Sequence, residues 1–318
     1  MRVSIIIVNW NSGDLLRRCI ASIAAAPPAV SWEIIVIDNA STDESVRWLQ
    51  SDEARSLTGA SRLRVIANDE NTGFSRATNQ GIAQSDADML LLLNPDTEVA
   101  AGAIDTLVGT LAAHERAALC GPRLLNPDGS LQPSVWPNPL TPWGIMVAGL
   151  GLWRLLPRRL RGEWLLGRFW NHDRRRAVPM LFGAAMLARR VAVERVGALD
   201  ERFHLYAEDN EWCLRMTRAG WQVMFEPDAT VMHHGSPSSL QRWGSERKLR
   251  VQLEAFFQFQ HICLSRPHRI ANLAAVCVVA AVHRCWHAVR GRPAADTAIV
   301  FEMHYGDLKR ALRELSGG

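Results

Sequence analysis

Four short, strongly apolar runs mark the first hundred positions: 3–8 (VSIIIV), 33–38 (EIIVID), 63–67 (LRVIA) and 89–93 (MLLLL). Each is too short for a helix and rich in β-branched residues or leucine, so each reads as a strand. None alternates cleanly between apolar and polar positions, which is the mark of strands covered on both faces. Between them the period changes. Leu15, Leu16, Cys19, Ile20 and Ile23 recur at helical spacing, with Ser12 placed to cap them. Ser41 and Glu44 have capping-box spacing ahead of Val46 and Leu49. A third helix runs through Ala77 and Ile82, and a fourth gathers Ile104, Leu107, Val108 and Leu111 on one face. This alternation predicts an α/β domain: a mostly parallel, Rossmann-like sheet with helices on both faces.

In such sheets ligands collect at the carboxyl ends of the strands. The residues there are Asn9, Asp38-Asn39, Asn68 and Asn94-Pro95-Asp96. One asparagine at a strand end is a turn former. Four polar ends on one rim point to a shared ligand site. Pro95 cannot continue a central strand, so it ejects Asp96 into the crevice. A carboxylate there needs a positive partner, and a divalent cation is the natural one.

The chemistry is narrowed by what the loops lack. No GxGxxG follows the first strand and no GxxxxGK[ST] occurs, so neither a dinucleotide fold nor a P-loop is indicated. Phosphates bound on this rim would be neutralised by a metal and by basic side chains such as Arg76. A second block, residues 182–236, carries Glu208-Asp209 ahead of a helix with Trp212, Leu214 and Met216. Adjacent acids at a helix start serve the helix dipole. Their apolar neighbours Phe203, Leu205, Tyr206 and Trp212 suggest burial, which would raise a carboxyl pKa and suit it to act as a base. His233 closes the apolar stretch FEPDATVM, either as a structural histidine or as a metal ligand near Asp96.

Composition fits a globular protein. Hydrophobic residues make up 48% of the 318 and charged residues 21%, enough for a sizeable core. A net charge of +4 is too small for a nucleic-acid-binding face. The six scattered cysteines form no CxxC pair, which fits reduced thiols in a cytoplasmic protein. The opening MRVSIIIVNW reads as a first strand rather than a secretory signal.

The expected organisation is an α/β domain over 1–243 and a helical region over 244–318. Residues 136–176 break the alternation with five tryptophans, eight arginines and two acids. This is either an interfacial segment or a helical subdomain packed over the domain. The tail is expected to hold a helix near 246–263, an apolar run over 270–282 too short to span a bilayer, and a closing helix with Leu308, Leu312 and Leu315 on one face. Peripheral docking at the inner face of the plasma membrane, internal packing and self-association all remain open for these segments.

Several stretches together carry a resemblance: VSIIIVNWNSGDLLRRCIASI, EIIVIDNASTDES, NDENTGFSRATNQGI, LLLNPDTEV, FGAAMLARR, GALDERFHLYAEDNEWCLR and HHGS. In this order they resemble the family 2 glycosyltransferases of GT-A fold, and among them bacterial rhamnosyltransferases of O-antigen or cell-wall polysaccharide assembly. The resemblance covers roughly residues 3–127 and 178–243. It implies inverting transfer of a sugar from a nucleotide diphosphate donor to a glycan or lipid-linked glycan acceptor. It places Asp38 at the nucleotide base, with Asn39 beside it, and Asn9, Asn11 and Asn71 in the same pocket, where Gly73 allows close backbone approach. NPDT stands where the family has its DxD motif, so Asp96 becomes a ligand of Mg2+ or Mn2+. Asn94 replaces the first Asp of many relatives, which removes one carboxylate. His233 falls at a third metal contact, with His234 adjacent and the choice between them open. Asp209 takes the place of the catalytic base, with Glu208 orienting. A sugar nucleotidyltransferase is the main alternative, although VNWNSGD lacks the glycine-rich loop such enzymes carry. A catalytically silent membrane scaffold of the same fold is the other.

Overall fold

The structure, a computed structural model, describes residues 1–59, 62–136, 141–235 and 237–290. The closing helix expected around Leu308 to Leu315 lies outside the described residues. The chain forms two compact units, one of Met1–Trp136 with Asn171–Ser238, the other of Pro137–Trp170 with Ser239–Gly318.

The first unit opens with β1 (Arg2–Asn9), α1 (Asp14–Ala25), β2 (Ser31–Asp38), α2 (Ser45–Leu49), α3 (Asp52–Thr58), β3 (Leu63–Ala67), α4 (Phe74–Ala83) and β4 (Met89–Leu93). It continues through β5 (Thr97–Val99), α5 (Ala103–Ala113), β6 (Ala117–Leu125), β7 (Leu131–Gln132) and β8 (Val135–Trp136). In the second unit lie α6 (Pro142–Gly149) and α7 (Arg158–Leu165). The first unit resumes with β9 (Arg176–Ala177), β10 (Met180–Leu181), β11 (Ala185–Arg189), α8 (Arg190–Val196), α9 (Glu208–Arg218) and β12 (Gln222–His233). Two long helices follow, α10 (Pro237–Cys263) and α11 (Arg266–Val289).

The main sheet has the order β3-β2-β1-β4-β11-β6-β12-β5. The four strands foreseen from the apolar runs are parallel neighbours, in register from Asn9 opposite Asp38 to Asp38 opposite Ala67. Beyond β4 the sheet is mixed: β11 runs antiparallel to both β4 and β6, and β12 runs parallel to β6. Both faces are covered. Ile5, Ile7, Ile34 and Val36 pack with α1 and α5 residues such as Ile20, Ile23 and Leu107. Val8, Ile35 and Ile37 pack with Ala77 and Phe74 of α4 on the other side. The approach is close at Gly81, where a methyl group would come within 2.5 Å of Ile6.

Two caps differ from the sequence expectation. The cap of α1 is Gly13 at φ 49°, not Ser12, and no side chain caps the helix. Ser41 does not cap α2: its hydroxyl accepts from the backbone N–H of Asn11 and the side-chain amide of Asn9. For Ser41, tertiary partners compete with local capping.

In the second unit, α6 lies against α11. His283 Nε2 is 2.8 Å from the Gly149 carbonyl oxygen, and a methyl group at Gly149 would come within 2.5 Å of Val279. The 270–282 run belongs to a 24-residue helix, long and apolar enough to cross a membrane, with a mean hydropathy of 1.3 over its best window. The sequence expectation measured the uninterrupted apolar run and not the helix around it.

Candidate active site

The carboxyl ends of β1, β2 and β3 meet in one hydrogen-bonded network. Asn9 Nδ2 donates to Asp38 Oδ1 at 2.6 Å, and Asp38 Oδ2 accepts from Ser41 N at 2.9 Å. Asn11, held at φ 54°, uses its side-chain oxygen to accept from the N–H groups of Thr42 and Asp43. Asn39 donates to Asn71 Oδ1 and the Gly73 carbonyl, and accepts from Asn68 and Thr72. These side chains brace the loops at the carboxyl ends of the strands, so much of their polar capacity is spent on the protein. Gly73 sits at φ 87° and ψ 167°, a region nearly reserved for glycine. A methyl group there would overlap the His204 ring, and Phe74 N donates to the His204 carbonyl at 2.8 Å. The 199–207 loop is therefore fastened to the rim. Arg76 is exposed on α4.

At the other end of the rim, Asn94 N donates to the Ala184 carbonyl, and the Asn94 carbonyl accepts from Thr97 Oγ1 at 2.7 Å. This turn delivers Asp96, only 5% exposed, to β12, because β5 pairs antiparallel with His233 opposite Thr97. His233 Nε2 stands 3.4 Å from Asp96 Oδ1. His234 faces the other way and contacts Glu98 at 2.7 Å. Consecutive strand residues point to opposite faces, so the structure selects His233 over its neighbour as the histidine beside Asp96.

His233 is oriented as a metal ligand would be. Its Nδ1 is 2.7 Å from Gln132 Oε1, and Gln132 Nε2 donates to Asn126 Oδ1 at 3.0 Å. That amide orientation makes Nδ1 the protonated nitrogen and leaves the Nε2 lone pair facing Asp96. Nε2 is buried and has no hydrogen-bond partner among the described residues. An acceptor nitrogen and a carboxylate oxygen 3.4 Å apart can both reach one ion at roughly 2.1 Å. Among the described residues no group of three or more His, Cys, Asp or Glu side chains gathers to hold a metal. A divalent ion here would take two protein donors and complete its shell with water and substrate phosphate.

The acids at 208 and 209 begin α9, preceded by Tyr206 and Ala207 at φ 70° and 69°. Two successive non-glycine residues in the left-handed region cost of order 1–3 kcal/mol each, and they turn the helix start inward. Asp209 Oδ2 accepts from Gly183 N at 2.8 Å, and Oδ1 accepts from Asn210 N at 2.7 Å. Burial raises the Asp209 pKa, partly offset by these backbone donors. Burial, and then the Asp209 charge, push Glu208 up to about 8. Glu208 Oε2 has no hydrogen-bond partner among the described residues.

One tripeptide joins these parts. Phe182 packs edge-on against the His233 ring at 5.6 Å, Gly183 holds Asp209, and the Ala184 carbonyl holds Asn94. The histidine, the helix-start acid and the NPD turn are thus anchored to three successive residues.

Known proteins decide what this arrangement belongs to. The model of the Glycosyl transferase family 2 matches residues 4–196. The chain is a family 2 glycosyltransferase. A second model, Glycosyl transferase family group 2, matches residues 163–288. Among its relatives, an N-acetylglucosaminyl-diphospho-decaprenol L-rhamnosyltransferase of Mycobacterium tuberculosis is 30% identical over 250 residues, covering 74% of this chain and 76% of that one. The low-salt glycan biosynthesis hexosyltransferase Agl10 of Haloferax volcanii is 28% identical, covering 68% of this chain and 62% of its own. The mannosyltransferase PcManGT from Pyrobaculum calidifontis, solved with GDP-Man and Mn2+, aligns with a TM-score of 0.54 at 16% identity, over 98% of this chain and 86% of that one. GalNAc-T7, solved with UDP, GalNAc and Mn2+, aligns at 0.54 and 19% identity, over 81% and 50%. The glycosyltransferase has the GT-A fold, with a mostly parallel sheet and C-terminal helices. The nucleotidyltransferase alternative falls away.

Three features of the glycosyltransferase's site were not read from its sequence. Gln132 gave no signal, because it reaches His233 only through β6: Leu124 pairs with Gln132 on one side and Leu125 with Met232 on the other. His204 was one polar residue in an unassigned loop. FGA carries no reactive side chain, so only its contacts in the fold reveal its part.

Proposed function

We propose that this enzyme transfers a sugar, with rhamnose favoured, from a nucleoside diphosphate donor to a hydroxyl of a lipid-linked or polysaccharide acceptor in bacterial cell-wall or O-antigen glycan synthesis. The transfer inverts the anomeric centre. The observation that carries this reading is the anchoring of Asp209, His233 and the Asp96 turn to residues 182–184, which sets an acid apart from a metal-ready pair. The rhamnosyltransferase relative, named for a diphospho-decaprenol substrate, supports the donor and acceptor classes.

Asp209 is the proposed base. Its two backbone donors fix its oxygens, while burial raises its affinity for a proton above that of an exposed aspartate. It would take the proton of the acceptor hydroxyl as that oxygen attacks the anomeric carbon from the face opposite the diphosphate. Glu208, largely neutral at pH 7, would present an O–H donor that orients the acceptor or Asp209. Asp96 Oδ1 and His233 Nε2 would hold Mg2+ or Mn2+, and the bound ion supplies neutralisation of charge on the departing diphosphate. Asp38, Asn9, Asn11, Asn39, Asn71 and Gly73 form the proposed nucleotide pocket. Asn94 shapes the turn beneath Asp96, and exposed Arg76 would meet phosphate.

A thermal-shift panel of nucleoside diphosphates with and without Mn2+ tests the reading. Stabilisation grows as RT ln(1 + [L]/Kd), about 2.7 kcal/mol at a hundredfold excess over Kd. Deoxythymidine diphosphate with Mn2+ is expected to give the largest shift. No shift with any nucleotide, with or without metal, would refute the pocket; a larger shift with another base would refute the rhamnose preference alone.

A further inference from the structure

We infer that the exposed face of α11 docks on an anionic lipid surface, lying in the interface and not across the bilayer. The face is defined by spacing. Val278, Val282, Cys285 and Val289 fall within about 60° of arc at 3.6 residues per turn, and Trp286 adjoins them. Val278, Val282, Trp286 and Val289 are between 47% and 85% exposed. The opposite side of the helix is already used: Leu273, Cys277 and Ala280 are buried, and Val279 and His283 meet α6 at Gly149.

Charge selects the occupant. Arg284 and Arg290, both exposed, lie further round the helix, about 110–130° from the centre of the stripe, and the Arg290 guanidinium lies 4.0 Å from the centre of the Trp286 ring. No Asp or Glu occurs between residues 255 and 295, nor between 137 and 162, which includes α6. An apolar stripe edged by tryptophan, with arginines further round the helix and no acid nearby in the sequence, matches the headgroup boundary of an anionic leaflet. A second copy of this surface would set arginine against arginine. The same charges argue against crossing. A 24-residue helix is about 36 Å long, but spanning would carry Arg284, His283 and His287 into the hydrocarbon, where ionisable groups are costly.

The test uses the full chain and vesicles of phosphatidylglycerol in phosphatidylcholine. Cys285 is the exposed cysteine, the other five being buried, so an environment-sensitive fluorophore on it reports directly on the stripe. Expected results are co-sedimentation at low salt, release at high salt, and a blue-shifted, quencher-protected label. Val282→Asp with Val289→Asp should abolish binding, and Arg284→Gln and Arg290→Gln should each weaken it about five-fold. Circular dichroism and nucleoside diphosphate thermal shifts, read separately from lipid binding, should not change. Equal recovery in the supernatant with and without lipid overturns the proposal. So does a label that stays water-exposed on bound protein, resistance to alkaline extraction, or lipid-independent self-association lost in the aspartate variant.

Discussion

Replacing Glu208 with glutamine should make the protein more stable at alkaline pH. The carboxyl is 8% exposed, and its pKa rises from an ordinary 4.5 to about 8 through burial and the charge of Asp209. The folded state therefore binds more protons than the unfolded chain between these values. Its stabilising contribution is complete below pH 4.5 and lost as pH rises through about 8. At 1.36 kcal/mol per pH unit the ceiling on that loss is about 5 kcal/mol, of which about 3 is gone by pH 7. Glutamine mimics the neutral acid and does not titrate. Any constant cost of its amide drops out of the pH dependence. Urea unfolding of wild type and Glu208→Gln at half-unit steps from pH 5 to 9 measures the difference. The curves should diverge in favour of the variant and level off above pH 8, and adding Asp209→Asn should shrink the divergence. Parallel curves over this range would refute the picture of a buried proton-holding glutamate.

Other outcomes follow from the same geometry. Asp209→Asn should lower kcat by roughly 10²–10⁴ in a donor-plus-acceptor assay. It should also cost about 1–3 kcal/mol in a thermal melt, because its amide must face one of two backbone N–H donors. Gln132→Leu should weaken Mn2+ binding about 10–100-fold, read by electron paramagnetic resonance without turnover, since it frees the His233 ring to choose the other tautomer. His234→Ala, on the far side of the strand, should leave that affinity unchanged. Gly73→Ala should destabilise by about 1–3 kcal/mol from backbone strain, with a further part from the His204 clash that Gly73→Ala/His204→Ala recovers.

The parallel half of the fold was legible because its strands are buried on both faces and so appear as unbroken apolar runs. Asn9, Asp38 and Asn94 were legible as a group because each ends such a run. The mixed half was harder to read. β11 and β12 carry polar and charged positions such as Arg189, Glu226 and Asp228, and their pairing joins residues more than sixty apart. The membrane reading shifted for a related reason. Hydropathy counted only 270–282, whereas helix α11 continues to Val289 and turns Trp286 and Val289 onto the same side as Val278.

The sequence by itself determined that the four apolar runs become strands, that their ends share one rim, and that Glu208, Asp209 and Asp96 are the candidate acids. These follow from local spacing and from the solubility of side chains. Tertiary structure alone decided that His233 and not His234 faces Asp96, that Gln132 sets its tautomer, and that Phe182, Gly183 and Ala184 tie acid, histidine and turn together. Each of those depends on the register between strands distant in the chain, and a one-residue slip would point every side chain of β12 to the other face.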